Sequence, residues 1–418
     1  MYDVFSLKDL HFPKDFIWGA GYSGHQVEGN NIHSQRWYDE IRENYDELSG
    51  LACNSYELYE TDIAMASSIH LGAFRTTAEW SRIEPKEGEF NEEAAMHYVK
   101  FFAGLKEKGI RVFATMHHTA HPQWFEEKGG IKNLANLKYF ERFLHYIVPK
   151  IAPYVDYWNV INEFNLRPDD DLKLSFLRYH TRGYHIIKQY SSAPVSSAHA
   201  LVYYRPYRPH DKWDNAMSNL RDLCDNEFFF HAIRTGELVY PNHDGYIDPD
   251  MKNAADYWSV NTYVRQPIDA RKAGMWGKRY DFNYLRMIDR DFYLDTLDPE
   301  CIIANLSRLT DKPVIITENG CSCDDDRFRI VWISLYLSAL KEAMDMGVDV
   351  RGYLYWSLLD NYEWASFVPR FGLFSCDFKT FERTAKPSAH FYRDIIDNNG
   401  FSQAIVRAYL HELPSLGR

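Results

Sequence analysis

A single (β/α)8, or TIM, barrel of the α/β class, spanning residues 1–418, is the fold this sequence predicts, and three observations predict it. Eight short segments rich in Val, Ile, Tyr, Phe and Trp alternate with helical patterns along the chain. A doubly wound sheet would alternate in the same way, but no G-x-G-x-x-G turn follows the first segment. No linker, low-complexity run or short repeat divides the 418 residues, and barrels of this kind routinely exceed the ~150 residues usual for one domain.

The first strand, 15–24, reads DFIWGAGYSG. The second, 71–78 (LGAFRTTA), leads to a helical pattern over 91–109 with an acidic first turn and a Lys-Gly stop. The third, 111–118 (RVFATMHH), closes on paired histidines before a helix at 136–152. The fourth, 156–164 (DYWNVINEF), closes on an amide and a carboxylate before a helix at 172–190. The fifth, 193–199 (APVSSAH), is short and polar, and the sixth is 257–263 (YWSVNTY). The seventh, 313–318 (PVIITE), ends in a glutamate ahead of a helix at 327–346, and the eighth, 350–359, is VRGYLYWSLL. Such a barrel builds its active site at the C-terminal ends of its strands, so the catalytic groups are expected there.

Composition narrows the function. With 47 Lys+Arg against 59 Asp+Glu the formal net charge is −12, which disfavours nucleic acid and anionic membrane as partners. No stretch approaches the ~18 apolar residues of a membrane span, and the opening MYDVFSLKDLHFPKD lacks the basic tip and apolar run of a signal peptide. A cytoplasmic location is therefore expected. The six scattered cysteines read as free thiols, and Cys321-Ser-Cys323 has no second Cys/His pair at zinc spacing, so no metal is expected. Aromatic residues make up 16% of the chain, more than a core needs; either the core is aromatic-rich or a site uses flat amphipathic faces.

Two strands end in a carboxylate beside an amide: Asn162-Glu163 and Glu318-Asn319. Alone, each glutamate would be solvated at a loop start. Two at the same rim of one barrel can face each other as the general acid/base and nucleophile of glycosidic bond cleavage. The run Asp324-Asp325-Asp326 lacks the spaced ligands of a calcium loop and reads as a helix N-terminus, where negative charge complements the dipole.

At this point the sequence resembles glycoside hydrolase family 1, the β-glucosidase and β-galactosidase family, from about Phe12 to Ala389. FPKDFIWGAGYSGHQVEG is similar to the family's opening, and RTTAEWSRIEP matches its Arg75, Trp80 and Arg82 positions. WNVINEF resembles W-x-T-x-N-E-P, PVIITENG contains the nucleophile motif I-T-E-N-G, and GYLYWSLLDNYEWASFVPRFGL followed by ERTAKPSA is the longest match. Five ordered motifs at the expected strand ends are far more specific than one T-E-N-G.

The resemblance implies a retaining exo-β-glycosidase without metal or organic cofactor, its partner a small β-glycoside or short oligosaccharide. Glu318 would be the nucleophile and Glu163 the acid/base, ~5–5.5 Å apart. Gln26, His118, Asn162, Glu363 and Trp364 would hold the sugar, Trp356 would floor its apolar face, and Phe371 falls on the same pocket motif. Tyr263 would hydrogen-bond the nucleophile, while Arg75 and Asn261 are supporting residues. Taken without the motif, Trp356 would be read as core, and His117 and His118 as satisfied strand-end histidines. Phe164, Val160, Thr119 and Thr262 depart from the family's usual proline, threonine, tryptophan and tyrosine, and Phe164 and Thr119 are expected to reshape the rim. Glu363 favours an unphosphorylated substrate, because a carboxylate repels phosphate. Glucose, galactose and fucose are left open as glycones. A transglycosidase would keep both carboxylates and differ in its acceptor; a silent sugar-binding homologue would be expected to have lost one.

Overall fold

The computed structural model describes residues 3–167, 169–273 and 297–414. Eight parallel strands close into a barrel: β1 Ile17–Gly21, β2 Ala73–Thr77, β3 Arg111–His117, β4 Tyr157–Asn162, β5 Val195–Ala200, β6 Trp258–Asn261, β7 Val314–Asn319 and β8 Val350–Trp356. Neighbours in sequence are neighbours in space, and β8 pairs with β1 to complete the ring. A principal helix follows each strand: α1 Tyr59–Ser68, α2 Glu92–Glu107, α3 Leu137–Ile151, α4 Asp170–Tyr190, α5 Phe228–Thr235, α6 Glu300–Leu306, α7 Asp326–Asp345 and α8 Pro387–Asn398. The connection into α5 is elaborate: a helix over Lys212–Asp222 runs through a π-turn, Leu223–Glu227, before α5 begins.

Local chemistry explains where the helices start. Asn91 and Asp169 cap α2 and α4 by accepting the backbone N–H of Ala94 and of Leu172. Asp325 does the same for α7 through Arg327 N–H, while Asp326 accepts from Ser388 and Arg329. The acidic run is thus a helix terminus, where Asp325 caps the helix and Asp326 ties it to Ser388.

Two apolar layers hold the barrel. Inside its N-terminal half, Ile17, Ala73, Phe113, Tyr257, Ile315 and Leu354 form a plug. Phe113 stacks on Tyr157 at 4.4 Å, and Tyr157 meets Tyr257 edge-on at 5.5 Å. The larger core lies between strands and helices, where Trp80, Trp158, Trp258 and Trp332 are fully buried. Most of the aromatic excess is therefore packing, as a barrel buried on both sheet faces requires.

Six of the strands stop short of the C-terminal ends expected from sequence, while β5 and β7 each run one residue further, to Ala200 and Asn319. The first stops at Gly21 because a helical turn, Gly24–Val27, begins there, and the fourth stops at Asn162 because Glu163 turns the backbone left-handed, with φ 49°. All six cysteines are buried and free of disulfides. No described helix is long and apolar enough to cross a membrane.

Candidate active site

The upper half of the barrel is polar. Ser259 and Thr317 bond each other at 2.9 Å across β6 and β7, and above them Arg75, Asn162, Asn261 and Glu318 crowd the C-terminal rim. Pairing register shifts between Asn159 and Asn162 on β4, at Asn261 on β6, and between Ile316 and Asn319 on β7. Such bulges re-aim side chains at a sheet's end, here where the polar residues sit.

One hydrogen-bond network joins these residues. Thr317 Oγ1 donates to Asn261 Oδ1 at 2.8 Å, which turns the Asn261 amide nitrogen toward Asn162 Oδ1 (3.0 Å) and Glu163 Oε1 (2.9 Å). Arg75 reaches Asn162 Oδ1 at 2.6 Å with one guanidinium nitrogen and Glu318 Oε1 with the other. Tyr263 donates its hydroxyl to Glu318 Oε2 at 2.7 Å. Both oxygens of Glu318 are thus met by donors, one of them cationic, as a carboxylate requires in a site removed from water.

Glu163 is placed differently. It is partly exposed, and it lies at φ 49°, ψ 38°, a strained conformation for a residue with a Cβ. Its N–H donates to Ala198 O at 2.8 Å. Burial, then the negative charge of Glu318, push its carboxyl up to about 7, outweighing the Asn261 hydrogen bond. The two glutamates at one rim therefore differ in setting: one gripped by Arg75 and Tyr263, the other held near neutrality.

Beside them, side chains from three loops come together. Gln26 Nε2 donates to Glu363 Oε2 at 3.1 Å, and Trp356 Nε1 to Glu363 Oε1 at 3.3 Å. Burial raises Glu363 to about 8, outweighing the hydrogen bonds from Trp356 and Gln26 that favour its charged form. His118 stacks with Trp356 at 5.9 Å and with Trp364 at 6.1 Å, and burial holds its imidazole neutral. The Asn162 amide nitrogen lies 3.1 Å from His118 Nε2, making that nitrogen the acceptor. Phe371 is buried in the loop after β8, where its carbonyl accepts from Ser357 and Arg329 and so fixes the loop.

Gln26, Arg75, His118, Asn162, Glu163 and Asn261 are thus gathered at one rim with Tyr263, Glu318, Trp356, Glu363 and Trp364. Three participants escape sequence reading: Thr317, which orients Asn261, and His25 and Arg36, which flank Trp364 at 6.2 Å and 5.2 Å. Thr317 and His25 had a signal, since they stand inside I-T-E-N-G and the opening G-H-Q-V-E-G; Arg36 had none. Among the described residues no three His, Cys, Asp or Glu side chains are grouped as metal ligands.

Comparison with known sequences and structures sets this geometry in context. The model of "Glycosyl hydrolase family 1" matches residues 8–401. The chain belongs to glycosyl hydrolase family 1. It is 26% identical to a β-galactosidase of Sulfolobus acidocaldarius, over 97% of this chain and 99% of that one. It is 25% identical to a 6-phospho-β-galactosidase of Staphylococcus epidermidis, over 92% and 98%. The structure of a β-glycosidase from Pyrococcus horikoshii superposes with a TM-score of 0.84 at 30% identity, covering 96% of this chain and 98% of that one. A family 1 β-glucosidase from Thermotoga maritima, 23% identical with a TM-score of 0.84, covers 95% and 99% and shares the fold.

Family 1 membership makes the chain a glycosidase of β-linked sugars, and it gives the departures from the family pattern a structural meaning. Phe164, expected to reshape the rim, does not line it. Its ring is fully buried among Phe176, Phe228, Phe229 and His199, because the left-handed turn at Glu163 sends the next side chain down between barrel and helices. Below this turn Lys173 of α4 and Asp225 of the π-turn form an ion pair at 2.5 Å, both fully buried. Lys173→Met would strand the Asp225 carboxylate without its cation and should cost ~3–5 kcal/mol of stability. The check is the denaturant midpoint, and an unchanged value would show the pair to be dispensable.

Proposed function

We propose that the protein is a retaining exo-β-glycosidase that hydrolyses unphosphorylated β-glycosides through a covalent glycosyl-enzyme on Glu318. What carries the reading is the contrast between the two glutamates: Glu318 has both oxygens engaged by Arg75 and Tyr263, while Glu163 is held near pKa 7. Glu163 starts protonated and gives its proton to the glycosidic oxygen as Glu318 attacks the anomeric carbon. The leaving alcohol departs, and Glu163, now ionised, takes a proton from the water that cleaves the ester to Glu318. The sugar leaves with its β configuration intact.

Gln26, Glu363, His118 and Trp364 would bind the sugar's hydroxyls, Trp356 its apolar face, and Phe371 would complete the pocket wall. Asn162, fixed by Arg75 and Asn261, would bond the 2-hydroxyl, where contacts strengthen as the oxocarbenium-like state forms. Preference for an unphosphorylated sugar rests on Glu363 offering paired hydroxyl contacts, and on the cations of its loop being engaged elsewhere. Arg370 bonds the carbonyls of Phe367 and Pro369, and Lys386 pairs with Asp360 at 2.8 Å.

A 2-fluoro β-glycoside with a good leaving group should trap the intermediate, and peptide mapping should find the sugar on Glu318. Label on another residue, or an α-configured first product, would overturn the mechanism. In a parallel panel, kcat/KM for nitrophenyl β-glucoside or β-galactoside should exceed that for the 6-phosphate by ~10²-fold or more, the scale of a missing complementary site. The reverse order would place the chain with the phospho-glycosidases. Added alcohol should divert only a minor share of product; a major share would favour transglycosylation.

A further inference from the structure

The turn carrying Glu163 leaves the barrel wall at a left-handed residue, and it has to aim one carboxyl at one oxygen. Something outside the turn holds it there. Two residues on, Asn165 is fully buried and uses its whole side-chain amide on backbone groups. Its Nδ2 donates to Ala200 O at 2.8 Å and to Asp225 O at 2.9 Å, and its Oδ1 accepts from Ala200 N–H at 3.1 Å. Because it meets both the N–H and the C=O of Ala200, the amide pairs with the end of β5 as a neighbouring strand would.

The remaining bond goes to the π-turn, a rare feature that is frequent at functional sites. Here two of its carbonyls accept from side chains: Cys224 O from Lys173 at 3.1 Å, and Asp225 O from Asn165. The Asp225 carboxylate is gripped in turn by Lys173 and by Tyr204 at 2.9 Å. Asn165 therefore joins the Glu163 turn to β5 directly, and to α4 through the π-turn.

We propose that Asn165 is a positioning residue for the acid/base, clamping the Glu163 turn so that its carboxyl points at the leaving oxygen. The proposal rests on the assignment of Glu163 made above. Asn165 contacts neither member of the carboxylate pair through its amide, and Glu318 is fixed independently by Arg75 and Tyr263. Loss of the clamp should therefore impair proton delivery while leaving attack at the anomeric carbon intact.

Aryl β-glycosides separate the two steps, since an acidic phenol leaves without a proton and a weakly acidic one does not. For Asn165→Ala, kcat/KM on a dinitrophenyl glycoside should stay within ~3-fold of wild type. On the phenyl glycoside it should fall by ~30-fold, part of the ~10²–10⁴ that a general acid supplies. The alkaline limb of the pH profile should move as the carboxyl is released. An equal loss on every substrate would mean general damage to the site and would overturn the proposal, as would unchanged rates with only a lowered melting temperature. If Asn165→Ala does not fold, Asn165→Ser, which keeps a small hydrogen-bonding side chain, is read in the same assay against the same criteria. Glu163→Gln, run beside them, must show the steep leaving-group dependence; if it does not, Glu163 is not the acid and the proposal falls with that assignment rather than through Asn165.

Discussion

Glu318→Gln should lower kcat/KM on every aryl β-glycoside by a factor on the order of 10⁶, the scale reached when a covalent nucleophile is removed. The substitution preserves shape and leaves Tyr263 and Arg75 in place, but the amide cannot form the ester. Arg75 would then face a neutral partner where a carboxylate had balanced it. Because the loss falls on the bond-forming step, leaving-group acidity should not rescue it. Glu318→Ala gives a sharper readout: azide can enter the vacated face and yield the α-glycosyl azide. Wild-type turnover in Glu318→Gln, or a β-azide from Glu318→Ala, would remove Glu318 from the nucleophile's role.

Glu163→Gln should behave in the opposite way. Its cost should reach ~10²–10⁴ on substrates whose leaving group needs a proton, and be far smaller in the first step on dinitrophenyl glycosides. The pH profile gives the second signature. Only the protonated carboxyl can donate, and burial with the Glu318 charge sets its pKa at about 7. Wild-type kcat/KM should therefore fall as pH rises through about 7. Beyond that the fall is about tenfold per pH unit. In Glu163→Gln this limb should vanish. A limb that persists unchanged would belong to another group, and Glu363, raised to about 8, is the first to test.

The barrel was legible because most of its strands, buried on both faces, read as largely apolar runs, and because helical patterns such as 91–109, with its acidic first turn and Lys-Gly stop, separate them. The shared rim of Glu163 and Glu318 was legible because each stands at the C-terminal end of a strand. What was hidden is tertiary. The left-handed turn at Glu163 has no local signature, so the sequence carried that strand on through Phe164 and put its ring at the rim, where the structure puts it under the barrel wall. Asn165 was equally silent: its partners are 35 and 60 residues away, and no periodicity announces a side chain pairing with distant backbone. The upward shift of the Glu363 carboxyl was equally hidden, because burial is a property of the assembled loops.

The hydrogen bond between Gln26 and Glu363 spans 337 positions of chain, and its two loops leave the adjacent strands β1 and β8. The proposed sugar pocket is thus assembled on the seam where the barrel's first strand meets its last. A ribosome releases the first half of this pocket long before the second, so a partial product of synthesis lacks half of the proposed sugar contacts. Ring closure and ligand competence become one event. A bound sugar would in turn act as a stitch across the seam, resisting withdrawal of the last strand from the first.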